Sequence, residues 1–139
     1  MTNESPRHWS EIATTAAPSP GGTYSQGVVA ANGFVFTAGC GPQDPGTGAI
    51  VGDSISEQTR QVLRNVSAIL AEAGSTLRDV VKVTAHLTDP ARDFAGYDAV
   101  CRELFEKPYP ARTTVGSYLV GILVEIDVVA MAPFSQESG

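Results

Sequence analysis

Basic charge, cysteine and long apolar runs are all scarce in this chain of 139 residues. Lys and Arg total 9 against 15 acidic residues, for a formal charge of −6. A nucleic-acid surface needs clustered cations, so the balance argues against nucleic-acid binding as the general role. The two cysteines, Cys40 and Cys101, make neither a CxxC pair nor a disulfide framework. With no export signal, reduced thiols in the cytoplasm are expected. No apolar run reaches the length of a membrane span. The opening stretch, MTNESPRHWSEIATTAAPSP, lacks the unbroken apolar segment of a secretory signal. His86 has no second His or acidic partner at metal-ligand spacing, and no metal site is expected.

What remains is ordinary globular material. Hydrophobic residues make up 42 % and charged residues 17 %, and the length suits one domain around one core. Residues 1–17 are rich in Ser, Thr, Ala and Pro and read as a flexible arm, with a domain over 18–133 and a tail over 134–139. In GVVAANGFVFTAG, Asn32-Gly33 between β-rich runs predicts a hairpin whose two turn residues both take φ > 0. CGPQDPGTGAIVG, just after it, is a Gly/Pro loop placed to form a pocket rim.

Residues 54–74 predict a helix. Ser54 and Glu57 fit a capping box, Val62, Val66, Ile69 and Ala73 recur at helical spacing, and Gly74 suits a left-handed stop. Residues 79–89 alternate as a strand, with His86 on the polar, exposed side. Residues 92–107 form a second helix, with Phe94, Tyr97, Cys101, Leu104 and Phe105 inward, ended by Pro108 and Pro110. Two strands follow, about 113–118 and 122–131. The order is β-β-α-β-α-β-β, an α+β single domain. Right-handed crossovers place both helices on one face of a mixed sheet. The last strand is apolar on both sides, so the uncovered face needs a lid, and a second subunit is the expected one.

Arg112 and Glu125 are the anomaly. Both sit in PYPARTTVGSYLVGILVEIDVVA, which otherwise reads as core, and ionisable groups in apolar strand are costly. They could pair with each other and stitch two strands, or each could serve a ligand. Asp127, two residues on from Glu125, shares its face.

The stretches GTYSQG (22–27), FVFTAGCGPQDPGTG (34–48), EQTRQVLRNVSAILAEAGSTLRDVVKVTAHLTD (57–89), DFAGYD (93–98), PART (110–113) and VEIDVVA (124–130) occur in one order over residues 18–132. In this ordered set the chain resembles the Rid, or YjgF-like, family of reactive intermediate deaminases. The resemblance implies the same element order in a chorismate-mutase-like arrangement, assembled as a homotrimer with three intersubunit clefts. It implies cofactor-independent hydrolysis of enamine and imine acids, such as 2-aminoacrylate, 2-iminopropanoate or 2-iminobutanoate, to 2-ketoacids and ammonia. In that setting Arg112 matches the residue that grips the substrate carboxylate, a task suited to a planar fork of donors. Glu125 matches the residue that handles water and protons. Tyr24, Ala38, Gly39, Cys40, Asp98 and Thr114 fall at cleft positions of the family. Partners implied are the small carboxylate-bearing substrate and two further copies of the chain, with no nucleic acid and no membrane.

Three of these positions depart from the common pattern. Many members have Ser at the place of Ala38, Gln at that of Cys40 and Asn at that of Asp98. The cleft thereby loses a hydroxyl and an amide, and a carboxylate at 98 requires a partner if an anion is to bind. The 117–124 connection is two residues shorter than usual. GCGPQDPGTG with RTTVG also resembles the 2-aminomuconate deaminase branch, which treats a longer dicarboxylic enamine. A non-catalytic trimer that binds small metabolites is the further alternative. The ribonuclease activity attached to parts of the family lacks a basic patch here.

Overall fold

In the computed structural model, which describes residues 5–133, one six-stranded sheet runs β1-β2-β3-β6-β4-β5. Its strands are β1 (Trp9–Ile12), β2 (Gly27–Ala30), β3 (Phe34–Thr37), β4 (Val80–Leu87), β5 (Ala111–Gly116) and β6 (Val124–Met131). The helices are α1 (Ile55–Glu72) and α2 (Pro90–Leu104). Only β4 and β5 pair in parallel, joined through α2, and the other neighbours are antiparallel. The sheet is therefore mixed, as expected.

Each element forms for a local reason. Ser54 Oγ accepts the Glu57 N–H at 3.1 Å and opens α1. Val62, Leu63, Val66, Ile69 and Leu70 then fall on one buried stripe. Gly74, at φ +74, ends the helix where a side chain would be strained. Asp89 caps α2, which begins at Pro90, two residues before the sequence expectation. Both helices lie against the face that carries Val35, Val83, Ala85, Val124, Ile126 and Val128, all at most 1 % exposed. The opposite face carries Phe36, Val115, Val129 and Met131 and has no cover among the described residues.

Three expectations need correction. Residues 9–12 are not a free arm: they form β1 on the edge of the sheet, with Ile12 and Ala17 buried. The Gln26 side chain holds the next segment, accepting from the Thr14 N–H and donating to the carbonyls of Thr14, Ala17 and Pro18. The hairpin turn has only Gly33 at positive φ (+91), with the Gly33 N–H donating to the Ala30 carbonyl. Asn32 keeps negative φ and uses its side-chain oxygen to accept the Phe34 N–H, so the loop is a type I turn with a glycine bulge. On α2, Tyr97, Cys101 and Phe105 point inward but Phe94 and Leu104 are 41 % and 36 % exposed. They sit at the margin of the stripe, where period alone does not separate core from rim. The 1–4 part of the arm and the 134–139 tail lie outside the described residues.

Candidate active site

The sheet separates the two charges that stand out in the sequence. Arg112 on β5 registers with Val83, a helix-side residue of β4, and its side chain meets α2. Glu125 on β6 lies between Val124 and Ile126, both fully buried on the helix side, so its own side chain emerges on the uncovered face. Strand β4 runs between them. Within one chain they neither pair nor share a cavity.

Glu125 lines a cavity of about 520 Å³ together with Tyr24, Ala38, Gly39 and Cys40, roofed by the loop over residues 41–48. Local backbone explains the grouping. Past the end of β3, the Cys40 N–H donates to the Ile126 carbonyl and the Ile126 N–H to that of Cys40, at 2.8 and 3.0 Å. This pairing carries Gly39 under Glu125. A Cβ on Gly39 would stand 2.7 Å from Glu125 Oε2, so only glycine leaves the carboxylate its place. The Tyr24 hydroxyl accepts the Gly21 N–H at 3.0 Å, which turns its ring along the cavity mouth. The Cys40 thiol is pushed up to about 12 by burial, then by the charges of Glu125 and Asp127. It is a lining thiol and not a nucleophile. Burial also raises the Asp127 carboxyl, while His86 and Lys82 pull it back.

The roof loop is held from below. Asn65 on α1 donates to the carbonyls of Gly41 and Gln43 at 3.0 and 2.9 Å. Gln58 donates to the Gly52 carbonyl and accepts the Leu123 N–H at 2.8 Å, tying α1 to the strand entry beside Ile122. Asp44 Oδ1 accepts the N–H groups of Gly46 and Thr47, which keeps its carboxyl below the ordinary range. Asn65, Gln58 and Gln26 shape this cavity but were not singled out from the sequence. Their signal was amide side chains at positions where the pattern expects core.

Arg112 lines a second cavity, of about 400 Å³, with Asp98, Cys101, Arg102, Phe105 and Tyr109. Its Nη1 donates to Asp98 Oδ1 at 2.7 Å. Its Cζ lies 5.5 Å from the Phe94 ring centre and 5.3 Å from that of Tyr97. Burial works against its charge, but the Asp98 hydrogen bond and nearby Tyr97 and Asp98 outweigh it and raise its pKa. Thr114 lines neither cavity: its hydroxyl meets the Tyr97 hydroxyl at 3.2 Å, behind the arginine. Burial pushes the Tyr97 phenol up to about 12 and the Cys101 thiol to about 11. His86, expected exposed, is half-buried, its Nδ1 2.7 Å from the Ser117 hydroxyl. Among the described residues no three His, Cys, Asp or Glu side chains converge as metal ligands, and no helix is long and apolar enough to cross a membrane.

Residues 14–132 match the family model described as Endoribonuclease L-PSP. A RutC family protein of Pyrococcus abyssi is 46 % identical over 121 residues, covering 86 % of this chain and 94 % of that one. The chloroplastic Reactive Intermediate Deaminase A of Arabidopsis thaliana is 37 % identical over 121 residues, covering 86 % of this chain and 64 % of that one. The crystal structure of E. coli TdcF with bound serine superposes with a TM-score of 0.81 at 34 % identity, over 89 % of this chain and 99 % of that one. With the element order, the site stretches and these likenesses in agreement, the chain belongs to the RidA/YjgF-like family of reactive intermediate deaminases.

Proposed function

We propose that the protein hydrolyses enamine or imine acids to 2-ketoacids and ammonia, in clefts formed between copies of the chain in a homotrimer. The observation that carries this reading is the placement of Arg112 and Glu125 on opposite faces of one sheet, each lining its own open cavity. A carboxylate anchor and a proton-handling carboxylate meet only if the Arg112 cavity of one protomer abuts the Glu125 cavity of the next. The uncovered sheet face, with Phe36 at 42 % and Val115 at 39 % exposed, supplies apolar surface for that assembly.

In such a cleft the Arg112 fork holds the carboxylate next to the C=N group. The enamine first tautomerises to the imine, and a proton on the imine nitrogen makes its carbon electrophilic. Glu125 orients a water molecule and accepts a proton as the water oxygen bonds to that carbon. The same proton then passes to nitrogen, the C–N bond breaks as the new hydroxyl gives its proton back to the Glu125 carboxylate and closes to C=O, and the ketoacid and ammonia leave. Glycine at 39 admits Glu125 close to the reacting carbon, and Tyr24 walls the mouth.

Small residues on the wall of the Glu125 cavity, Ala38 and Gly41, favour the longer 2-aminomuconate type as a second reading. A coupled assay separates the cases. A dehydratase generates 2-iminopropanoate or 2-iminobutanoate, and imine decay is followed with and without the protein. 2-Aminomuconate is tested in parallel. Acceleration of either identifies the branch. No acceleration over buffer for any, with carboxylate binding retained, leaves a metabolite-binding trimer instead.

A further inference from the structure

Arg112 does not stand alone in its cavity. The Asp98 carboxylate is shared between two arginines: Oδ1 accepts from Arg112 Nη1 at 2.7 Å, and Oδ2 from Arg102 Nη2 at 2.8 Å. Asp98 and Arg102 are four residues apart on α2, so one helix turn brings both to the cavity wall. Asp98 has opposite effects on an incoming anion. It grips one nitrogen of Arg112, and with the Phe94 and Tyr97 rings it fixes the plane of the fork. Its negative charge also cancels the arginine it orients. Arg102 removes that conflict. Two guanidiniums and one carboxylate leave the cluster at a formal +1, where Asp98 and Arg112 alone would be neutral. Asp98 uses one donor of Arg112, and the side chain keeps 30 % exposure, so part of the fork faces the cavity and can take a ligand.

We propose that Arg102, Asp98 and Arg112 act as one carboxylate-recognition device, in which Asp98 positions the Arg112 fork and Arg102 sets the net charge that admits a monocarboxylate. This rests on Arg112 being the substrate anchor. Asp98 and Arg102 are positioning and charge-setting residues that work through Arg112, and neither need touch the substrate.

Calorimetric titration of the full-length protein with pyruvate tests the device. Arg102→Gln brings the cluster to neutral, Asp98→Asn to +2, and the double variant back to +1. The Arg102 side chain is 67 % exposed and Asn is isosteric with Asp, so these variants keep the fold. At low salt Arg102→Gln should weaken binding about three- to fivefold and Asp98→Asn should tighten it by a similar factor. The double variant should return to within about twofold of the parent, and about 0.5 M salt should compress the differences. If both single variants bind more weakly and the double more weakly still, the cluster is merely structural and the proposal falls. Arg112→Ala separates this from the reading beneath it. Loss of binding in Arg112→Ala without the charge order overturns only the device. Binding unaffected by Arg112→Ala, or no binding by the parent, overturns the anchor itself.

Discussion

Gly39 and Glu125 occupy each other's space: a methyl group on the first would stand 2.7 Å from Oε2 of the second and 2.9 Å from its Cδ. The carboxylate of a core-flanking strand is thus seated on bare backbone. Gly39→Ala forces the end of a flexible side chain to move, which costs little stability but displaces the carboxylate proposed to handle protons. Turnover should fall about 10- to 100-fold with the melting temperature nearly unchanged. Steady-state kinetics beside a thermal melt checks this, and unchanged kcat would count against Glu125 in its proposed role.

Arg112→Lys keeps the charge and loses the fork. The ammonium is a point charge that cannot make two parallel hydrogen bonds, and its fit between Asp98 and the Phe94 and Tyr97 rings is poorer. Carboxylate binding should weaken by more than about tenfold, and Arg112→Ala should abolish it. Ligand-induced shifts in melting temperature read both.

Asn65 is 1 % exposed and its amide satisfies two loop carbonyls, those of Gly41 and Gln43. Asn65→Ala strands these acceptors above the core. The expected loss is about 1–3 kcal/mol in urea unfolding, with KM raised because the roof over Glu125 is no longer held. Asn65→Asp supplies no amide donor and should not rescue it.

Stability should decline on the alkaline side. Cys40, Cys101 and Tyr97 ionise in the unfolded chain near 9.0, 9.0 and 10.0, but near 12, 11 and 12 in the folded one. The folded state therefore holds protons that the unfolded state releases. The stabilisation is complete below pH 9 and is lost as pH rises through the folded values. Urea midpoints measured upward from pH 9 should fall, and Cys40→Ala should flatten the slope. The same burial should make both thiols slow toward disulfide reagents at neutral pH.

The periodic parts of the fold were legible from the sequence. The stripe Val62, Val66, Ile69 predicts α1, the alternation around Val83 predicts β4, and Val124 to Val128 predicts β6. Strand β1 was not, because four residues inside a Ser- and Pro-rich segment carry too little alternation and their partner, β2, is set by the tertiary fold. The turn type was missed since the Asn32 side chain satisfies the Phe34 amide locally and spares Asn32 a positive φ. At the site, Gly39, Glu125 and an arginine in PART were each readable as candidates, but not that Gly39 lies against Glu125. That Asp98 is the partner of Arg112 was not, because a contact between α2 and β5 leaves no mark in spacing. Thr114 was placed at the cleft by likeness alone, and here its hydroxyl is occupied by Tyr97.

A sheet that parts its two key charges has a consequence for mixtures. If each working cleft borrows Arg112 from one protomer and Glu125 from a neighbour, a chain dead through Arg112→Ala and another dead through Glu125→Ala each still carry the half the other lacks. Unfolded, blended in equal amounts and refolded together, they should regain activity in about a quarter of clefts, the fraction that random pairing of a cyclic assembly allows. Two inert preparations would then yield a live one, an outcome unavailable to a protein whose chemistry is complete in a single chain.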